Sequence, residues 1–259
     1  MQPIFTTEIT KFRADEQGVV DDILVREIKL DIVLNDAKIG SMMATPTDLE
    51  ALGVGYLLSE NLITNKDEIK NVSFDEQSLS VKIIANENKT ALSNFNFESV
   101  IISGCGRSVT ANVNLENLNA KIIKSTAKFQ RREISKMMSE FYTQCELYEM
   151  TGCVHTAKIF CGKNFYIGED IAQHNTIDKA IGKAVLNGEN LENSLLMVSG
   201  RLSSEMVVKA VMNGICVLVS RTAPTSLGVL IARKFNLTLC GFARGENLNV
   251  YSGLERIYA

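Results

Sequence analysis

Six cysteines, two histidines and a few arginines beside glycines are the residues in this 259-residue chain best suited to chemistry. Cys105 stands apart from the other cysteines. It lies between Gly104 and Gly106, is followed by Arg107, and belongs to a run, Ser103 to Ser108, whose composition reads as a loop after the β-branched Val100–Ile102. A thiol next to a cation in an open loop can ionise readily and act as a nucleophile. The same residues also fit an inert thiol beside a solvated arginine. Cys153, His155 and Cys161 are close in sequence, but their spacing matches no common zinc pattern and no fourth ligand stands nearby. We therefore expect no structural metal.

A second group of candidates lies in the C-terminal half. The segments Gly168-Glu169-Asp170, Ser199-Gly200-Arg201, Ser220 to Thr225 and Gly241-Phe242-Ala243-Arg244-Gly245 each follow an apolar run. Glycine permits close backbone approach, arginine pairs with phosphate through two N–H groups, and a helix start offers unpaired N–H groups to an anion. If these segments leave parallel strands on one edge, they suit a phosphate-bearing ligand. Each segment taken singly is also an ordinary turn. His174 is placed just before a helix capped by Asn175, at the same edge.

The elements that must position these residues follow from periodicity. Phe165–Ile167, Leu195–Val198, Ile215–Val219 and Leu237–Cys240 read as strands. Between them come helices with Ile177, Ala180, Ile181, Ala184 and Val185 inward, then Met206, Val207, Ala210 and Val211, then Leu227, Leu230 and Ile231. Alternating β and α with near-continuous apolar strands implies an α/β fold with a largely parallel sheet. One helix is expected over about Arg131–Glu149, closed by Gly152. The N-terminal half reads as α+β. It has a strand over Ile23–Leu34 turning at Asn35–Asp36, a capping box Thr47-Asp48-Leu49-Glu50, a helix with Leu49, Leu52, Tyr56 and Leu57 on its apolar face, and a strand through Leu79, Val81 and Ile83. We divide the chain into residues 1–128 and 129–259.

Bulk properties narrow the function. Formal net charge is −3 and pI about 5.6, which argues against coating nucleic acid. No apolar run reaches membrane-spanning length, and the N-terminus lacks the pattern of a signal peptide, so a cytoplasmic protein is expected. No C-x-x-C pair or disulfide framework is present, which suits reduced thiols.

Taken in order, several motifs resemble one family, that of the formate dehydrogenase accessory (FdhD/NarQ) proteins. The matching blocks begin with Ala44-Thr45-Pro46-Thr47-Asp48-Leu49-Glu50 to Ser59-Glu60 and Ser103-Gly104-Cys105-Gly106. They continue with Thr151-Gly152 to Ala157 and Glu169-Asp170-Ile171 to Asp178-Lys179. The last are Ser199-Gly200-Arg201 to Met206, Ala223-Pro224-Thr225-Ser226 and Gly241-Phe242-Ala243-Arg244-Gly245. The resemblance runs from about residue 25 to 253. It implies an α+β N-terminal domain, a cytidine deaminase-like C-terminal domain and a homodimer. It also implies a sulfurtransferase that takes sulfur from a cysteine desulfurase and passes it to the bis-molybdopterin guanine dinucleotide cofactor of formate dehydrogenase. By the same resemblance Cys105 carries the persulfide. Phe242, Ala243, Arg244, Gly245, Glu246 and Asn247 bind the cofactor, bordered by Arg201, Thr225 and His174. The sequence departs from the family pattern at Ser108, where a second loop cysteine is usual, and at Gln173, where arginine is usual. With one loop cysteine, the alternative is a cofactor-binding chaperone without sulfur transfer.

Overall fold

In the computed structural model, residues 1–93, 100–101 and 118–259 are described. The chain starts with a hairpin of β1 (Ile4–Arg13) and β2 (Glu16–Val25). A five-stranded sheet follows, built from β3 (Ile28–Leu34), β4 (Ala37–Ala44), β5 (Ile69–Asp75), β6 (Ser80–Ala85) and β7 (Val100–Ile101), in the order β5-β6-β3-β4-β7. The expected strand over Ile23–Leu34 is thus two strands, broken at Arg26-Glu27. The turn at Asn35–Asp36 is present. Both residues take positive φ, as a two-residue hairpin loop between right-twisted strands requires.

α1 (Leu49–Ser59) and the short α2 (Lys89–Ser93) complete this part. α1 has no capping box. Asp48 precedes it in the left-handed conformation without a side-chain cap, Thr47 Oγ1 instead accepts from Lys179 Nζ (3.1 Å), and Glu50 accepts from the Phe74 N–H (3.2 Å). Nor does α1 have one apolar face. It is buried nearly all round, as expected of a helix packed on both sides.

The second sheet has six strands in the order β10-β9-β11-β12-β13-β14. Its members are β9 (His155–Cys161), β10 (Asn164–Asp170), β11 (Leu195–Val198), β12 (Val217–Ser220), β13 (Thr238–Arg244) and β14 (Asn247–Ser252). The mixed α/β class is as read from the sequence. The parallel ladder is confined to β11, β12 and β13, which are buried throughout or nearly so, and both flanks are antiparallel. β8 (Phe129–Gln130) pairs with β15 (Ile257–Tyr258).

The predicted helix over 131–149 is two helices, α3 (Arg131–Ser139) and α4 (Glu146–Thr151), interrupted by turns that end at Gln144 with positive φ. Ile134, Met138, Phe141 and Cys145 are still all buried. Gly152 closes α4 in the left-handed conformation, as expected.

α5 (Gln173–Leu186), α6 (Ser204–Met212) and α7 (Ser226–Lys234) connect the strands. α5 starts three residues earlier than predicted, with Ala172 and not Asn175 at the cap position. Asn175 is therefore inside its first turn and not a cap; its amide donates to Met43 O and Asp170 Oδ1, both at 2.9 Å. The inward residues predicted on α5 and α6 are buried. On α7, Ile231 is buried but Leu230 is 51% exposed, on the outer side of a helix covering the sheet.

The two sheets share one core through α1 and α5. A Cβ on Gly55 would lie 1.9 Å from Asp178 O, and one on Gly182 would lie 1.9 Å from Ala51 O. Backbone meets backbone there, so only glycine fits. Beside this crossing, Lys179 pairs with Asp170 at 2.7 Å and Lys209 with Asp178 at 2.7 Å. Burial pulls the Lys179 ammonium below the ordinary lysine range, and Asp170 opposes that pull.

Candidate functional site

Because β11, β12 and β13 are parallel, their carboxyl ends share one edge of the sheet. β9 runs the other way, which puts His155 at that edge, opposite Asp170 at the end of β10. α5, α6 and α7 all begin there, so three helix N-termini converge.

Hydrogen bonds lace the loops of this edge together. Gln173 Nε2 donates to Arg201 O (2.8 Å) and packs where a Cβ on Gly200 would be, which explains glycine at that position. Ser220 Oγ donates to Gly200 O (2.6 Å) and accepts from the Thr222 N–H (3.0 Å). The Leu202 N–H reaches Ala223 O (3.1 Å), and the Thr225 N–H reaches Leu202 O (3.0 Å). The Phe242 N–H donates to Thr222 O (3.0 Å), and Arg244 Nε to Arg221 O (2.9 Å). The segments after β11 and β12 thus form one connected rim, and it extends to β13.

Two expected loops are strand instead. Gly168-Glu169-Asp170 is the end of β10, and Gly241 to Arg244 continues β13. Phe242 to Asn247 is therefore a hairpin tip with a register shift, with Phe242 and Gly245 at positive φ. Ala243 is buried, whereas Phe242, Arg244, Gly245, Glu246 and Asn247 are exposed. Arg131 Nη1 donates to Glu246 O at 2.7 Å and ties α3 to the tip.

Arg201 is exposed on the rim. Thr225 is the N-cap of α7, with Oγ1 accepting from the Gly228 N–H at 3.2 Å, so its hydroxyl already has a structural partner. His174 is not outside a helix but in the first turn of α5, and its Nε2 contacts the Glu205 carboxylate from the first turn of α6. His155 Nδ1 is 3.3 Å from Ser199 Oγ. Both histidines of the chain are therefore on this edge. Partial desolvation pushes His155 below the ordinary histidine range, and the positive charges of His174 and Arg201 push it further while Asp170 opposes them.

Sequence reasoning missed Glu205 and Arg221 as site residues. Both stand inside segments it had singled out, so the signal was present but unassigned. Tyr142 carried no signal. It stacks on Tyr148 with ring centroids 3.9 Å apart, and the Arg221 guanidinium lies 5.6 Å from the Tyr142 ring centre. Cys105 lies outside the described residues. His155 and Cys161 are six residues apart on one strand, roughly 20 Å, so they do not share a metal.

The arrangement concentrates Arg201, Arg221, Arg244 and three helix N-termini at one edge, with Glu205 on the same rim. It suits an extended anionic ligand with polar groups. Among the described residues no helix is long and apolar enough to cross a membrane.

Comparison with known proteins agrees over nearly the whole chain. A sulfur carrier protein FdhD from Wolinella succinogenes is 38% identical over 98% of this chain and 90% of the relative. One from Staphylococcus aureus (strain Newman) is 32% identical over 91% and 89%. The crystal structure of a protein from Desulfotalea psychrophila, assigned as a formate dehydrogenase accessory protein, superposes with a TM-score of 0.80 at 27% identity, covering 99% of this chain and all of that one. The sequence model of the FdhD/NarQ family matches residues 25–258, and the chain belongs to that family.

Proposed function

We propose that the protein is a sulfur carrier serving formate dehydrogenase. Cys105 accepts sulfane sulfur from the persulfide of a cysteine desulfurase, and the rim would hold the bis-molybdopterin guanine dinucleotide for which that sulfur is destined. The carrying observation is the connected cationic edge, where arginines, helix starts and hairpin tip converge. Arg201, Arg244 and the N–H groups of α6 and α7 fit the phosphates of such a ligand. In the first step the Cys105 thiolate attacks the outer sulfur of the donor persulfide. The donor's S–S bond breaks, a new one forms on Cys105, and the donor leaves as a thiolate, with no net oxidation.

The route to Cys105 supports this reading. β7, the last described element before it, runs parallel to β4 with Met42 opposite Ile101. Just beyond β4 the Thr45 N–H donates to Asp170 Oδ2 (3.0 Å), and Met43 O accepts from Asn175, beside His174. The four residues from Ile101 to Cys105 span at most about 14 Å of chain. Delivery from a cysteine to the rim within one chain is compatible with that geometry.

The test is intact mass after incubation with a cysteine desulfurase and cysteine. Wild type should gain one sulfur, and so should Cys153→Ala, which removes the exposed cysteine among the described residues. Cys105→Ala should gain none. A full gain in Cys105→Ala would sink the mechanism. No gain in any variant, with guanosine diphosphate still bound, would favour a cofactor-holding chaperone, the reading suggested by Ser108 at the second cysteine position.

A further inference from the structure

None of the rim residues lies on the hairpin β1–β2, whose strand β2 packs against α4. Its strands pair through ten residues each, from Ile4 with Val25 to Arg13 with Glu16, and among the described residues neither pairs with any other strand. A two-stranded ribbon outside any larger sheet is marginal in water unless something covers its faces, and α4 covers only part of this one. One of its faces is unfavourable in two further ways. Phe12, Val19 and Ile23 are 72%, 61% and 37% exposed there. On the same face Glu8 stands directly opposite Asp21, both exposed. Like charges at a cross-strand position destabilise a ribbon, and this face carries no lysine or arginine to offset them. Neither carboxylate belongs to any ion pair among the described residues.

One kind of neighbour relieves both features together: a surface with a cation set among apolar side chains. A second copy of this face does not qualify, because face-to-face pairing would gather four carboxylates. We propose that this face of the N-terminal hairpin docks a partner protein whose contact patch carries lysine or arginine between apolar residues, and that the partner is the formate dehydrogenase polypeptide. The choice of partner rests on the function proposed above. The apolar side chains supply area, and the carboxylate couple supplies register and salt dependence.

The test measures binding of the full-length protein to purified apo-formate dehydrogenase at low and high salt. Glu8→Lys with Asp21→Lys, and separately Phe12→Ser with Val19→Ser, should each weaken binding by about tenfold or more. Glu8→Gln with Asp21→Asn should weaken it less and remove most of its salt dependence. Thermal unfolding, sulfur gain by mass and guanosine diphosphate binding should stay as in wild type, because these side chains are exposed and far from the rim in sequence. Unchanged affinity in both double variants overturns the proposal. So does a loss of desulfurase binding in place of formate dehydrogenase binding, or a wild-type dimer that these variants split into monomers. Failure of the functional reading itself appears elsewhere, as absent sulfur gain on Cys105.

Discussion

The α1–α5 crossing and the rim use the same kinds of residue for opposite ends. Asp170, Asp178, Lys179 and Lys209 are buried at or beside the crossing, and their partners lie inside the protein: carboxylate to ammonium, and Lys179 ammonium to Thr45 O and Glu169 O at 3.0 Å. Arg201, Arg221 and Arg244 are exposed or half-buried at the rim. The family block that runs from Glu169 to Lys179 spans both regions. A shared motif therefore does not mean a shared role: where a charged group has several buried partners it holds the fold, and where it is left open it can meet a ligand.

The largest effect should come from splitting a buried pair. Lys209→Met leaves the Asp178 carboxylate in the interior with only Ser59 Oγ (2.7 Å) beside it. We expect a loss of about 3–5 kcal/mol in urea unfolding, and substantial recovery when Asp178→Leu is added. A single variant as stable as wild type would mean that water reaches this pair. Close behind is Gly182→Ala. Its methyl would meet the Ala51 carbonyl at 1.9 Å, and both helices would have to separate. A cost of about 3 kcal/mol is expected, seen as a lower urea midpoint, because overpacking here presses on backbone and not on a flexible side chain.

These costs also explain what could be read from the sequence. α5, α6 and α7 were legible because Ile177, Ile181, Met206, Val207 and Ile231 keep a helical period against a sheet. β9 and β14 were not predicted. β9 carries Lys158 in its buried middle, a residue that reads as exposed until its ammonium is seen donating to Thr143 O. β14 is a partly exposed edge strand of mixed polarity. Asn175 reads as a cap in the sequence because cap and buried amide demand the same side chain, and only the position of Asp170 decides between them. The rim was legible as a set of loops, but the His174–Glu205 contact joins residues 31 apart that no local pattern links.

Within the rim, structural and ligand-facing residues should separate experimentally. Thr225→Ala removes the cap of α7 and should cost about 1 kcal/mol. Arg244→Ala should change stability by no more than about 0.5 kcal/mol, since the side chain is exposed. Its expected consequence is weaker guanosine diphosphate binding by calorimetry, by about tenfold, because charge-assisted contacts to phosphate are lost. If Thr225→Ala weakened binding more than Arg244→Ala, the capping residue would be the ligand contact and the division drawn here would be reversed.

The smallest effect concerns pH. His155 in the folded protein binds its proton less readily than a free histidine, through desolvation and two neighbouring positive charges. As pH falls through about 6.5 the unfolded chain takes up the proton first, so stability is fully present above that value and declines below it. His155→Gln should flatten the decline in melting temperature between pH 7.5 and 5.5, and only slightly, because the His155 side chain is still exposed. An anion bound beside the imidazole reverses the balance. It favours the protonated ring, so guanosine diphosphate affinity should rise as pH falls through the same range, and His155→Gln should reduce that rise. At the crossing no such linkage to an added anion is expected, because Lys179 is sealed from solvent and its charge is held by Asp170. A pH-dependent affinity that survived His155→Gln undiminished would place the proton on another group of the rim.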